Sequence, residues 1–243
     1  MNRVLIFILI FSSLATFGQD TTSTKSKRFS IGINFSADHC YRSLTKNDKS
    51  ISDSIWKFAK NIEDSFEIPK FGYTVGINLL YEFNKHLSAE LGVQYSNKGY
   101  KTIPIHILIP TNNPSQRFDS ATNFISFYYL DFPLKADYVF LNSRTQIIAG
   151  IGATLNVLVK ATFRSVPADK SIEPFSDVSD YPFKKINISP IISLGLKYKI
   201  NERMNLRLEP TYRYAILGID DKSYKKIHLW SAGINVGYYY QLK

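Results

Sequence analysis

The chain has 243 residues, of which 44% are hydrophobic and 14% aromatic, and 30 Lys+Arg outnumber 20 Asp+Glu; this length suits one domain. Its single cysteine, Cys40, excludes an internal disulfide, and with only His39 beside it offers two ligands where a metal site needs more. After the first residues no run approaches 18 consecutive apolar residues, which excludes a transmembrane helix and leaves a closed sheet as the only way to cross a bilayer.

Met1-Asn2-Arg3 is a short positive segment, residues 4–11 (VLIFILIF) are apolar, and residues 12–18 are a mostly small-residue approach to cleavage. This is the layout of a Sec signal peptide, cut after Gly18, and the apolar part is too short to span a membrane. No cysteine follows at the cut, against a lipoprotein anchor. Removal of Arg3 leaves 29 bases against 20 acids, a mature charge of +9. Residues 19–27 read as a short periplasmic tail and residues 28–243 as one domain.

From Arg28 onward the apolar residues recur with period two, the mark of β-strands. Phe29, Ile31, Ile33 and Phe35 alternate with Ser30, Gly32, Asn34 and Ser36. A helical spacing interrupts in the first long connection, where Ile55, Phe58, Ile62 and Phe66 follow Ser52-Asp53 as a plausible N-cap. Its apolar face is expected to cover the mouth of the fold, with partner docking as the alternative. Further alternating runs occupy 71–83, 87–96, 128–138, 147–157, 188–200, 204–214 and 230–242, each with one apolar face and one of Gly, Ser, Asn, Thr and charge. Pro133, Pro190 and Pro210 count against ordinary central pairing. Most runs are long enough for a tilted membrane crossing.

Alternation cannot tell inside from outside, but three other features can. Connections 38–70, 97–123, 160–185 and 215–227 are long, while 84–86, 140–144 and 201–203 are tight. That is the pattern of extracellular loops and periplasmic turns in an outer-membrane barrel. The tight turns share an Asn (Asn84, Asn142, Asn201) followed by a base (Lys85, Arg144, Arg203), a hairpin repeat of about 57 to 60 residues. Aromatics gather at both ends of the apolar face, with Tyr81, Tyr138 and Tyr198 at one and Tyr73, Tyr95, Tyr128, Tyr212 and Trp230 at the other, as two membrane girdles. At the C-terminus Asn235, Gly237, Tyr240 and Leu242 have the spacing of a barrel-assembly signal, with Lys243 departing from the usual terminal aromatic. The expectation is an all-β, antiparallel up-and-down transmembrane barrel of about eight strands in the outer membrane.

Three stretches carry a family likeness: residues 87–99 (LSAELGVQYSNKG), 129–134 (YLDFPL) and 150–153 (GIGA). In these, and in order and spacing over the mature chain, the sequence resembles the PorT-like outer-membrane β-barrel proteins of the porin family. The resemblance implies a barrel in the outer membrane and, through PorT itself, an association with protein secretion across the envelope. It implies no substrate.

His39, His86, His106 and His228 are scattered; only His106 and His228 could share the outer rim, and a Ser such as Ser231 would still need an acid and an oxyanion site. The reading is therefore non-enzymatic, without cofactor or metal. Lys98, Lys101, Lys160, Arg164, Lys184, Lys185, Lys225 and Lys226 fall near outer strand ends, where lipid A phosphates or plain solvent would meet them, and this placement argues against nucleic acid. Cys40 reads as a loop residue. On the inward face stand five acids (Glu82, Glu90, Asp131, Asp137, Glu209) and five bases (Lys135, Lys197, Lys199, Arg207, Arg213), mostly toward the periplasmic ends. Balanced in sign, they are expected to pair inside a small barrel as a plug; hydrated charges along a water path are the alternative. The functional reading is a binding or scaffold barrel acting through its extracellular loops, against a narrow solute channel. The expected partners are outer-membrane lipid and lipopolysaccharide, the barrel-assembly machinery and envelope proteins.

Overall fold

A computed structural model describes residues 29–47, 51–105, 120–141, 143–167, 175–178, 181–220 and 225–242. The expected signal peptide and tail lie outside the described residues. In chain order the elements are β1 (Phe29–Lys46), α1 (Asp53–Phe66), β2 (Glu67–Glu82), β3 (Leu87–Thr102), β4 (Ala121–Val139) and β5 (Thr145–Pro167). They continue with β6 (Phe175–Asp177), β7 (Ile186–Lys199), β8 (Met204–Tyr214) and β9 (Lys225–Gln241). All pairings are antiparallel. With β6 set aside as a short edge on the outer end of β5, each strand pairs with its neighbours in order, β4 meets β5, and β9 returns to β1. The result is a closed up-and-down ring of eight strands, which leaves no sheet edge to satisfy in lipid.

The sense of the alternation is inverted relative to a soluble barrel. Ser30, Asn34 and Ser36 are buried, while Phe29, Ile31, Ile33 and Phe35 are exposed. The same holds on β3, where Glu90 and Gln94 are buried and Leu91 and Val93 are exposed. An apolar belt of this extent on the outside of a closed sheet is a lipid-facing surface. Its inner rim carries Phe29 and Tyr81 with ring centres 4.7 Å apart and Tyr138 and Phe140 at 5.1 Å. Its outer rim carries Tyr95 and Tyr128 at 6.0 Å and Tyr212 and Trp230 at 6.1 Å.

The strands run further than the alternating pattern. β1 continues to Lys46, β3 to Thr102 and β5 to Pro167, all into segments read as loops. Beyond the belt the outer face no longer needs apolar side chains, so the pattern fades while the hydrogen-bond ladder goes on. Cys40, expected in a loop, is for this reason fully buried inside β1. The tight turns follow from asparagine chemistry: Asn84 Oδ1 accepts from the backbone N–H of His86 and Leu87, both at 2.8 Å. Asn201 Oδ1 accepts in the same way from Arg203 and Met204, at 2.8 and 2.9 Å.

Pro133 and Pro210 sit in mid-strand where the ladder lapses. The β3–β4 register steps from Leu91↔Leu134 to Gln94↔Asp131, and the β7–β8 register from Ser193↔Thr211 to Leu196↔Leu208. A residue without an N–H costs the ladder locally, but the alternation continues on both sides. Among the described residues Tyr239 is the one large ring inside the lower barrel. A Cβ at Gly32 or Gly237 would lie within 2.7 Å of that ring, so these two glycines open the space it fills.

The order of long and short connections gives a first testable result. An epitope at Asn61 or Asp177 is expected to be reachable from outside intact cells, and one at Asn84 or Asn201 is not. Surface labelling at Asn201 with none at Asn61 would invert the topology.

Candidate functional site

Among the described residues the inward side chains of the lumen are packed in successive layers. At the periplasmic end Lys197 Nζ donates to Glu82 Oε1 at 2.8 Å. Lys199, also on the inward row of β7, is half-buried below it. Above lies the densest layer, built by β3, β4 and β8. Arg207 Nη1 is 2.7 Å from Asp137 Oδ2, 3.3 Å from Glu90 Oε2 and 3.6 Å from Glu209 Oε1. Lys135 Nζ is 2.7 Å from Glu209 Oε2, 3.3 Å from Asp137 Oδ1 and 3.8 Å from Glu90 Oε2. All five side chains are buried. Tyr239 closes the layer, since its hydroxyl donates to Glu90 at 2.9 Å and its ring lies 4.7 Å below the Arg207 guanidinium. Asn78 and Gln94 continue the bonding toward Asn34 and Asn235.

Two remaining members of the expected set stand higher, with partners that alternation within the belt did not reveal. Arg213 pairs with Asp38 at 3.3 Å, and Asp38 also accepts from Ser36 and Thr74, both at 2.6 Å. Asp131 pairs with Lys98 at 2.9 Å and accepts from Ser96 at 2.7 Å and Asn156 at 2.6 Å. The ten residues therefore divide among three levels and do not form one periplasmic cluster. Lys98, expected on the outer rim, is buried in the lumen. Continuing the inward parity of β1 past Ser36 and of β3 past Ser96 would have found Asp38, Cys40, Arg42 and Lys98; the loop assignment hid them. Lys70, opposite Cys40 in register, donates to Asn97 and, at 2.7 Å, to Ser126.

Among the described residues the extracellular half is packed with apolar side chains. Tyr100, Phe127, Tyr129, Ala161, Ala215, Ile219 and Leu229 form a buried cluster, with Tyr41, Leu158, Phe183 and Ile227 against it. Ala215 and Ile219 belong to a segment read as an open loop. It is folded into the mouth by backbone bonds from Ala215 N to Leu229 O and from Ile219 N to Ile227 O, 2.8 and 2.9 Å long. Lys98 lies 5.3 Å from the Tyr129 ring, joining the ionic layers to this plug.

Over the plug sits α1, whose N-cap is Ser52 as the sequence indicates. Its charged edge is tied to the rim: Asp64 to buried Arg42, which also pairs with Glu67 at the start of β2, Glu63 to Lys225, and Asp53 to Lys46 at 2.7 Å. Hydrogen-bonded by Lys46, the exposed Asp53 carboxyl titrates below its ordinary range. The apolar stripe does not cover the mouth as expected. Ile55, Phe58, Ile62 and Phe66 are 43 to 69% exposed, because the ion pairs hold the opposite edge of the helix against the barrel.

Nothing among the described residues assembles a nucleophile with a base. His228 is held by Thr45 at 2.9 Å and the Ala215 carbonyl at 3.1 Å, while Ser231 pairs in register with Cys40 and is buried in the wall. His39 points to the belt beside Trp230, and His86 contacts the Val139 carbonyl in a periplasmic turn. His106 lies outside the described residues. At the C-terminus Asn235 and Gly237 face inward, and Tyr240 pairs with Ile31 and Met204.

Among solved structures, Neisserial surface protein A is 15% identical, matching 88% of this chain and 97% of that one with a TM-score of 0.45. OprG from Pseudomonas aeruginosa is 15% identical over 92% of this chain and 100% of that one, with a TM-score of 0.48. Ail of Yersinia pestis is 11% identical over 88% and 99%, with a TM-score of 0.36. No curated protein matches the sequence. The family model described as outer membrane protein beta-barrel domain matches residues 17–242, nearly the whole sequence, and this closed barrel with its apolar belt belongs to that outer-membrane family.

Proposed function

We propose that the protein is a closed, non-enzymatic barrel that works as a binding or scaffold protein through its extracellular side. The observation that carries this is the occupied lumen: among the described residues, buried ion pairs stand in the periplasmic half and a buried apolar cluster in the extracellular half. A small eight-stranded ring has an interior that side chains can fill. The exposed stripe of α1 supports the binding role, since four large apolar side chains are held away from the barrel by ion pairs on the opposite helix edge. The PorT-like resemblance favours a partner within an envelope transport or secretion assembly. Asn235, Gly237, Tyr240 and Leu242 are read as the signal to the barrel-assembly machinery.

Purified protein in planar bilayers is expected to show little or no steady conductance. A stable, large, ohmic channel in the wild type would overturn the closed reading and favour a narrow solute channel. For the binding role, envelope proteins that co-purify from native outer membrane are expected to be lost with Phe58→Ser; retention of all of them would remove α1 from the interface.

A further inference from the structure

Helix α1 has no buried residue, and its apolar stripe has a definite order. Ile55, Phe58, Ile62 and Phe66 follow one another at spacings of three and four residues, which places them on one face. Isoleucine and phenylalanine alternate along it, and the stripe is nearly symmetric about its midpoint at residues 60–61. Read in the opposite direction it runs Phe, Ile, Phe, Ile. Two such stripes laid antiparallel set Phe66 against Ile55 and Phe58 against Ile62, a ring against a branched aliphatic side chain at every contact. The borders suit the same pairing. Ser54, Asn61 and Ser65 flank the stripe on its free side, and the nearest charge on the other side, Glu63, is taken up by Lys225.

The ion pairs fix how the helix is presented. Asp53 and Glu63 stand about 15 Å apart along the helix axis. Yet they are tied to Lys46 and Lys225, which are direct partners in the β1–β9 ladder. Both ends are thus tethered to one level of the rim, and α1 lies across it and not upright. Two barrels in one membrane share the direction of their axes, so a closed pair of them has its two-fold axis along the membrane normal. Helices lying across the rim become antiparallel under that axis, the arrangement that the order of the stripe matches. A second copy is already held in the same plane and at the same height, which lowers the orientational cost that a soluble partner would bear.

We infer that the occupant of the α1 stripe is a second copy of this chain, docked helix to helix across a two-fold axis. The inference rests on the reading of α1 as a binding face and names the partner of that face.

The test uses the full mature barrel in outer membrane, with single cysteines on α1 and a short bis-maleimide cross-linker. The native Cys40 is fully buried and stays silent. Asn61→Cys stands at the two-fold axis and is expected to give a dimer of this chain. Ser54→Cys stands about 20 Å from its mate in the antiparallel pair, and its dimer is expected to be weak. Phe58→Ser or Ile62→Ser, added to Asn61→Cys, is expected to lower the dimer about tenfold. Neither side chain is buried, so the barrel still folds, which gel mobility without heating checks. Equal dimer from Ser54→Cys and Asn61→Cys, or a dimer indifferent to the stripe substitutions, overturns the pair. If Asn61→Cys is joined instead to a different envelope protein, the second copy is overturned and the binding role of α1 stands. If it is joined to nothing, that binding role falls as well.

Discussion

Arg207→Ala is expected to cost about 3–5 kcal/mol of folding stability, the penalty for leaving buried charge without its partner. The reason lies in the arithmetic of its layer. Among the described residues the cations paired with Glu90, Asp137 and Glu209 are Lys135 and Arg207, so the layer already holds one carboxylate more than it has bases. Taking away Arg207 leaves three buried acids around one ammonium and also removes the guanidinium from the Tyr239 ring. Buried charge in this setting is not in itself a source of stability: replacing all five residues together with apolar side chains of similar volume is expected to be neutral or stabilising. The two results separate a pairing requirement from a general need for polar groups. Urea unfolding in lipid vesicles, followed by tryptophan fluorescence or gel mobility, measures both. A loss below about 1 kcal/mol for Arg207→Ala, the size of an exposed pair, would show that water reaches the layer. Glu209→Ala and Arg207→Ala are also the substitutions expected to open a leak if the layer seals the lumen.

How much of this was legible in the sequence depends on how far each signal reaches along the chain. The ring of eight strands follows from period-two alternation with Asn turns, and the inverted facing from the long–short order of connections and the two aromatic girdles, because lipid imposes that pattern wherever a strand crosses the belt. Outside the belt the pattern loses its cause. Asp38, Cys40 and Arg42 on β1 and Lys98 on β3 stand on inward positions beyond the last clear alternating residue, so they read as loop or rim. The charge network was therefore visible as a set of residues but not as a set of pairs: Asp38 and Lys98 were missing, and they are the partners of Arg213 and Asp131. The apolar plug was hidden for a different reason. Its residues come from β3, β4, β5, β9 and the 215–220 segment, and no local spacing links them. Helix α1 was legible in its cap and its stripe, but not in its orientation. Orientation is set by ion pairs to Arg42 and Lys225, which are distant in sequence from much of the helix.

Ile151→Arg is expected to destabilise the barrel by about 2–4 kcal/mol in a bilayer, the cost of a cation on the lipid face near the midplane. Ile151 is central on β5, paired with Ala136 on β4 and Ile192 on β7, and is 67% exposed. That exposure makes the experiment decisive. In a water-soluble protein a side chain so open tolerates substitution within about 0.5 kcal/mol, and arginine would be as welcome there as isoleucine. The two environments therefore predict outcomes that differ several-fold for one change at one site. Leu91→Arg on β3, paired with Leu79 and Leu134, should repeat the loss on another strand of the belt. Arg at Gly152 should fail for another reason: a Cβ there would already meet the Leu134 carbonyl oxygen at 2.1 Å, so the defect is crowding of the wall and persists in any solvent. Folding yields in vesicles of increasing hydrocarbon thickness distinguish these cases, since only the lipid-facing cation is relieved when the bilayer is thin enough for arginine to reach the interface. If Ile151→Arg folds into thick bilayers as readily as the wild type, the apolar face does not meet lipid and the membrane orientation of every strand is wrong.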